Sequence, residues 1–151
     1  MDTEKTIFAR VKKMANLLDR VMARTKSNLE QKMDVAKVVS PIQGRIILYL
    51  YSEADKRDIH QKDLEAHFDI RGSTVAVILK KMQANKLVTR EISATDERMK
   101  TVKLTQRARE LYPEALAEVK RAEKQLTKGL SKQEIDTFNK VLDKMAENIS
   151  S

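Results

Sequence analysis

The sequence holds no cysteine, three glycines, two prolines and two histidines in 151 residues. Without cysteine there is no disulfide framework, no thiolate nucleophile and no thiol redox sensor. Three glycines leave no glycine-rich loop to cradle a phosphate. The two histidines, His60 and His67, stand seven residues apart, about two helical turns. A single metal ion could not join them without outside ligands, so they read as surface or capping residues and no metal or cofactor is implied. Acidic residues alternate with basic ones on helix faces and no catalytic constellation forms, so the chain is not expected to be an enzyme. No apolar run approaches the length of a membrane span, and the N-terminal stretch MDTEKTIFARVKKM lacks the apolar core of a signal peptide. A cytoplasmic location away from the membrane is the expectation.

What the chain does contain is positive charge. Thirty basic residues against twenty-two acidic ones give a formal charge of +8, which favours an anionic partner such as nucleic acid or anionic lipid. The excess is unevenly spread. Between Arg71 and Lys103 eight basic residues outnumber three acidic ones, whereas Ser40 to Ile70 carries four against six, and the first 39 residues carry a net +4. Hydrophobic content of 41% is ordinary for a chain able to bury a core.

The stretch from Ile59 to Thr105 organises these charges. His60 to Phe68 reads as a short helix, with Leu64 and Phe68 on one face and Asp63 in the first turn, where a carboxylate suits the helix dipole. A turn follows at Asp69 to Gly72, and Ser73 is expected to cap a second helix. Its apolar residues Val75, Ile78, Leu79 and Met82 recur at helical spacing and fix the buried face. Thr74, Ala76, Val77, Lys80 and Lys81 are left outside. Hydroxyls can meet base edges, small apolar groups can touch a thymine methyl, and lysines can neutralise phosphate, so this face suits a major groove. A solvated face of a packing unit would look similar. Beyond it, Thr89 to Ile92 and Thr101 to Leu104 flank a polar run and read as a two-stranded hairpin. The pattern is that of a winged helix-turn-helix. The candidate DNA contacts are Arg71, Ser73, Thr74, Ala76, Val77, Lys80, Lys81, Arg90, Asp96, Arg98 and Lys100.

Ile70 to Val88 (IRGSTVAVILKKMQANKLV), followed by DERMKTVKLT from Asp96 to Thr105, resembles the recognition helix and wing of the multiple-antibiotic-resistance (MarR) family of bacterial transcriptional regulators. The most specific part is the wing, here Asp96, Arg98, Leu104 and Thr105. The resemblance implies that Arg98 reaches into the minor groove and that Asp96 helps to hold it. Three departures stand out. Lys86 occupies a position where the family commonly has glycine, leaving Asn85 to supply a left-handed cap. His60 replaces a capping Thr or Ser. Val77 replaces an arginine found in many members, which turns recognition away from direct guanine reading and towards methyl contacts and DNA shape.

The flanks are helical. Val11, Met14, Leu17, Leu18 and Val21 mark a basic amphipathic helix, and Arg24 to Val39 reads as its end and a loop. Ser40, Pro41 and Gln43 form a capping box that opens an apolar core helix, followed by a charged turn with a short strand near Arg57 to Ile59. Thr105 is placed to cap a long helix, in which Pro113 should cause a kink or a break near Glu110 to Pro113. Ser131 and Glu134 open a last helix whose Ile135, Phe138, Leu142, Met145 and Ile149 share a face.

The expected fold is mainly α with a small β-hairpin wing, a winged helix-turn-helix (residues 40–105) between N-terminal (1–39) and C-terminal (106–151) dimerisation helices in a single domain. The resemblance implies a homodimer on an inverted repeat in double-stranded DNA. It also implies a repressor answering to a small aromatic or anionic effector, although no pocket signature is visible. The competing reading is a winged-helix adaptor that uses the same face on a protein.

Overall fold

The computed structural model describes residues 1–150. The chain divides into two compact units, Met1–Glu118 and Val119–Ser151. The elements are α1 (Ile7–Lys32), α2 (Pro41–Glu53), α3 (Gln61–Phe68), α4 (Gly72–Ala84), β1 (Val88–Ile92), β2 (Lys100–Leu104), α5 (Gln106–Leu126) and α6 (Lys132–Ser150), with short 3-10 turns at Thr3–Lys5 and Asp34–Val38. This is the mainly helical winged-helix architecture that the sequence implies. Among the described residues, no helix is long and apolar enough to cross a membrane.

Local chemistry sets most helix starts. The Ser40 hydroxyl accepts from the Gln43 amide at 3.3 Å and the Gln43 side chain accepts from the Ser40 amide at 3.2 Å, so α2 opens on the expected reciprocal cap. Ser131 and Glu134 repeat the device for α6, at 3.1 and 3.0 Å. The Thr105 hydroxyl accepts from Ala108 N–H at 3.3 Å at the start of α5 and donates to the Lys86 carbonyl at 2.6 Å, tying α5 to the end of α4.

The core lies within the first unit. Ile46, Ile47 and Leu50 of α2 meet Leu64 of α3, Leu79 and Met82 of α4, Leu87 and Val88 at the hairpin, and Leu111 of α5, all at most 1% exposed. Each such side chain contributes roughly 1.5–3 kcal/mol on burial. On α4 the buried Val75, Leu79 and Met82 lie on one stripe, which fixes the face of that helix that turns outward.

Four expectations need correction. The segment Arg24 to Lys32 is not helix end and loop, because α1 continues to Lys32. Its polar residues find partners far away in sequence. Asn28 donates to Glu118 at 3.4 Å, and the Lys32 ammonium lies 3.4 Å from Glu114 and 3.6 Å from Glu118, whose side chain is only 3% exposed. Ser73 is not the cap of α4. That helix starts at Gly72, with Arg71 in the extended capping position and no side-chain cap, because Asp69 turns left-handed (φ 51°) and ends α3 within a shorter turn. The break at Pro113 does not occur, since α5 runs unbroken through it. Pro113 is exposed, so water can serve the carbonyl that loses its helical partner.

The left-handed residue after α4 is Lys86 (φ 57°) and not Asn85. Lys86 N–H reaches the Gln83 carbonyl at 3.0 Å and Leu87 N–H reaches Met82 at 2.9 Å, the paired closure of a Schellman motif, and burial of Leu87 fixes its geometry. A left-handed side-chain-bearing residue costs roughly 1–2 kcal/mol, part of which glycine would return to unfolded-chain entropy. Lys86→Gly is expected to stabilise the fold by about 1 kcal/mol. A urea melt checks this, and an unchanged or lowered midpoint would contradict it.

Candidate nucleic-acid interface

The two short helices are locked at their turn. Gln61 of α3 donates through its amide to the Gly72 carbonyl at 3.2 Å. A β-carbon added at Gly72 would fall 2.7 Å from the Glu65 carboxylate, the far end of a flexible side chain that would have to shift to admit it. In the same first turn of α3, the Asp63 carboxylate accepts from His60 N–H at 2.7 Å and pairs with Arg57 at 3.1 Å. Burial pushes the Asp63 carboxyl up, but the His60 amide and the Arg57 guanidinium outweigh it and hold the group below its ordinary range.

With Val75, Leu79 and Met82 buried, α4 turns Ser73, Thr74, Val77, Lys80 and Lys81 to the outside, with Ala76 half-buried at the edge. Val77 is 55% exposed, an apolar group one turn after Ser73 and Thr74 and one turn before Lys80 and Lys81. Arg71 is exposed at the mouth of the helix.

The hairpin pairs Val88 with Leu104 and Ile92 with Lys100 in antiparallel register. A partial third strand joins it. Val102 N–H reaches the Ile59 carbonyl at 2.7 Å, and His60 bridges to Thr101, so the strand expected near Arg57 to Ile59 is reduced to this one bridge. Glu91 and Lys103 form an ion pair at 3.2 Å across the strands. Arg90 is turned back onto α4, where its Nε donates to Gln83 at 3.2 Å. Lys100 is exposed at the base of the wing.

The tip is closed by Ser93 N–H to the Met99 carbonyl at 2.9 Å and by Met99 N–H to Asp96 at 3.0 Å. Asp96 grips Arg98 three times: through the backbone amide at 3.0 Å and through Nε and Nη2 at 3.2 Å each. This guanidinium, followed by the Arg98 amide, holds the Asp96 carboxyl below its usual range. The Arg98 side chain is nevertheless 90% exposed, so it is oriented and yet open to a partner.

The sequence residues thus fall into two groups, the outer face of α4 and the Asp96–Arg98 pair at the wing tip, with Arg90 assigned to the joint between α4 and β1. Sequence reasoning missed Ser93, which is 4% exposed and anchors the wing turn by accepting the Thr95 amide at 3.2 Å. The Ser-x-Thr spacing of a side-chain turn is its one local signal. A cleft of about 210 Å³ has Leu50 and Ile59 in its wall and Arg57, Asp58, Lys103 and Arg109 as its charged lining, with Arg57 and Lys103 already paired to Asp63 and Glu91.

A sequence model of the MarR family matches residues 39–99. A comparison with curated protein sequences finds no match. Among solved structures, the transcription regulator MarR from Oenococcus oeni PSU-1 is 33% identical with a TM-score of 0.76, over 93% of this chain and 98% of that one. MepR from S. aureus, solved in complex with DNA, is 22% identical with a TM-score of 0.83, over 98% and 99%. The heme sensor protein PefR from Streptococcus agalactiae, solved with heme, is 25% identical with a TM-score of 0.63, over 95% and 94%.

Proposed function

The chain belongs to the MarR family of transcriptional regulators, and from that premise we propose that it is a sequence-specific DNA-binding repressor. It acts as a cytoplasmic homodimer on an inverted-repeat operator. The observation that carries this reading is the wing-tip arginine, held by Asp96 and open to solvent, beside a helix whose outer face is small, hydroxylated and basic. In it, α4 enters the major groove with Ser73, Thr74, Ala76 and Val77 at base edges. Arg71, Lys80, Lys81 and Lys100 serve phosphates, and Arg98 enters the minor groove. Arg90 supports α4 from behind while adding its charge.

The dimer reading rests on uncovered apolar stripes. α1 exposes Ile7, Phe8, Val11, Met14, Leu17 and Leu18, and has no buried residue. α6 also buries none, and leaves Phe138 at 59% and Ile149 at 86% exposed. An amphipathic helix gains its stability from covering such a stripe, and a second copy supplies the cover. Residues 1–39 and 106–151 are assigned to that joint and 40–105 to DNA. The effector is a small aromatic or anionic molecule.

Salt dependence is the direct test of a phosphate-contacting face, because each neutralised phosphate releases counterions. Lys80→Ala and Lys81→Ala should each weaken binding to all sequences alike and flatten the log–log salt slope by up to about one unit. A sequence-selective loss would make them base readers. Binding with no salt dependence would favour the adaptor reading.

A further inference from the structure

Between residues 40 and 118 the chain buries or half-buries every large apolar side chain except Tyr51, Val77 and Ile92. Tyr51 is covered in part by its stack on Tyr112 at 3.6 Å. The two aliphatic groups left in water are Val77, at 55%, and Ile92, at 69% exposed. They lie on the outer face of α4 and on the wing, the two elements that the proposed function sets against DNA. Val77 already has a place there, and Ile92 has none.

Strand alternation fixes the side of the wing on which Ile92 stands. Val88, Arg90 and Ile92 share one face of β1, and their register partners Leu104, Val102 and Lys100 share that face of β2. At the root of the hairpin this face carries Val88, Val102 and Leu104 into the core, and midway along it Arg90 donates to Gln83 of α4. It is therefore the face that looks towards α4. Beyond the edge of the core it ends in Ile92 and Lys100, opposite each other across the strands and both exposed, with β-carbons about 4.5–5.5 Å apart. Thr89 and Glu91 stand on the other face.

We propose that Ile92 is a DNA contact in its own right: its side chain packs on the deoxyribose of the strand that runs between α4 and the wing tip, beside the phosphate that Lys100 neutralises. The inference rests on the reading of α4 as the major-groove helix and of Arg98 as the minor-groove arginine. In that arrangement one sugar–phosphate strand separates the two grooves. It has to pass between α4 and Arg98, along the wing face that looks towards α4. On that strand the charge sits on the phosphates, whereas the sugars offer carbon-bound hydrogens. A lysine answers the first and an aliphatic group the second. Release of water from the Ile92 side chain and the sugar drives the contact, and no counterion takes part. A β-branched side chain suits it, because its restricted χ1 leaves little freedom to lose on binding.

The test uses the full chain and a labelled duplex that the parent protein selects from a random library, with affinity measured across a salt series. Ile92→Thr keeps the β-branch and the strand preference while removing apolar surface. It should bind about three- to tenfold more weakly, with a salt line parallel to that of the parent. Lys100→Ala should instead flatten the line by up to about one unit. Thr89→Ala, on the opposite face of the same strand, should bind as the parent does. Ile92→Thr should also melt as the parent does by circular dichroism. Should it melt lower, Ile92→Val, a good strand former one methylene shorter, decides the matter with an expected loss of about two- to fourfold. Parent-like affinity in the deciding variant overturns the proposal. A flattened salt line in that variant overturns it too, since Ile92 would then act by supporting Lys100, and so does an equal loss in Thr89→Ala, which would trace the effect to a weakened hairpin. Arg98→Ala separates the two readings. If it binds as tightly as the parent, the wing assignment itself falls; if it binds weakly while Ile92→Thr matches the parent, only the contact of Ile92 falls.

Discussion

Arg98→Ala is expected to bind its operator about 1–3 kcal/mol more weakly than the parent, with melting and dimerisation unchanged. The side chain is 90% exposed and bonded to Asp96 through Nε and Nη2, so its removal takes nothing from the core. A narrow A·T-rich minor groove concentrates negative potential and attracts a guanidinium, so the loss should be greatest on sites with A·T-rich flanks. Asp96→Ala should lose less, because it removes the orientation and leaves the charge. A fluorescence titration at physiological salt checks both, and equal affinity for Arg98→Ala and parent would contradict the wing assignment.

Charging the apolar stripe of α6 should have a larger effect. Phe138 and Leu142 lie one turn apart on that helix, 59% and 40% exposed. Phe138→Glu with Leu142→Glu should leave the helix intact, because both replacements are good helix formers and neither position is buried in the single chain. It should nevertheless yield monomers. Two linked half-site readers gain about two to four orders of magnitude over one, so binding to an inverted repeat should fall by that much. Sedimentation and gel-shift assays together are decisive. A monomeric double variant with parent affinity would mean that one copy suffices.

What the sequence made legible was local. The caps at Ser40, Thr105 and Ser131 depend on residues three apart, and the buried stripe of α4 follows from helical spacing alone. What it hid was set by distant partners or by backbone geometry. The second half of α1 looked irregular because Asn28 and Lys32 answer to Glu118, 90 and 86 positions away. The start of α4 depends on the left-handed turn at Asp69, which ends α3 early. Lys86 takes the left-handed turn, in place of Asn85, because it is the residue before buried Leu87. Of the interface, the outer face of α4 was readable from periodicity, and the Asp96–Arg98 pair from its resemblance to a wing motif. The contact between His60 and Ser93 spans 33 positions and left no trace in spacing.

Footprinting of the full chain on a duplex selected from a random library tests the central claim most directly. Two copies of α4 related by a two-fold axis should protect two inverted half-sites roughly 10 base pairs apart, centre to centre, with flanking minor-groove protection that disappears in Arg98→Ala. Protection of a single half-site by a stable monomer, or no enrichment of any sequence in the selection, would contradict it.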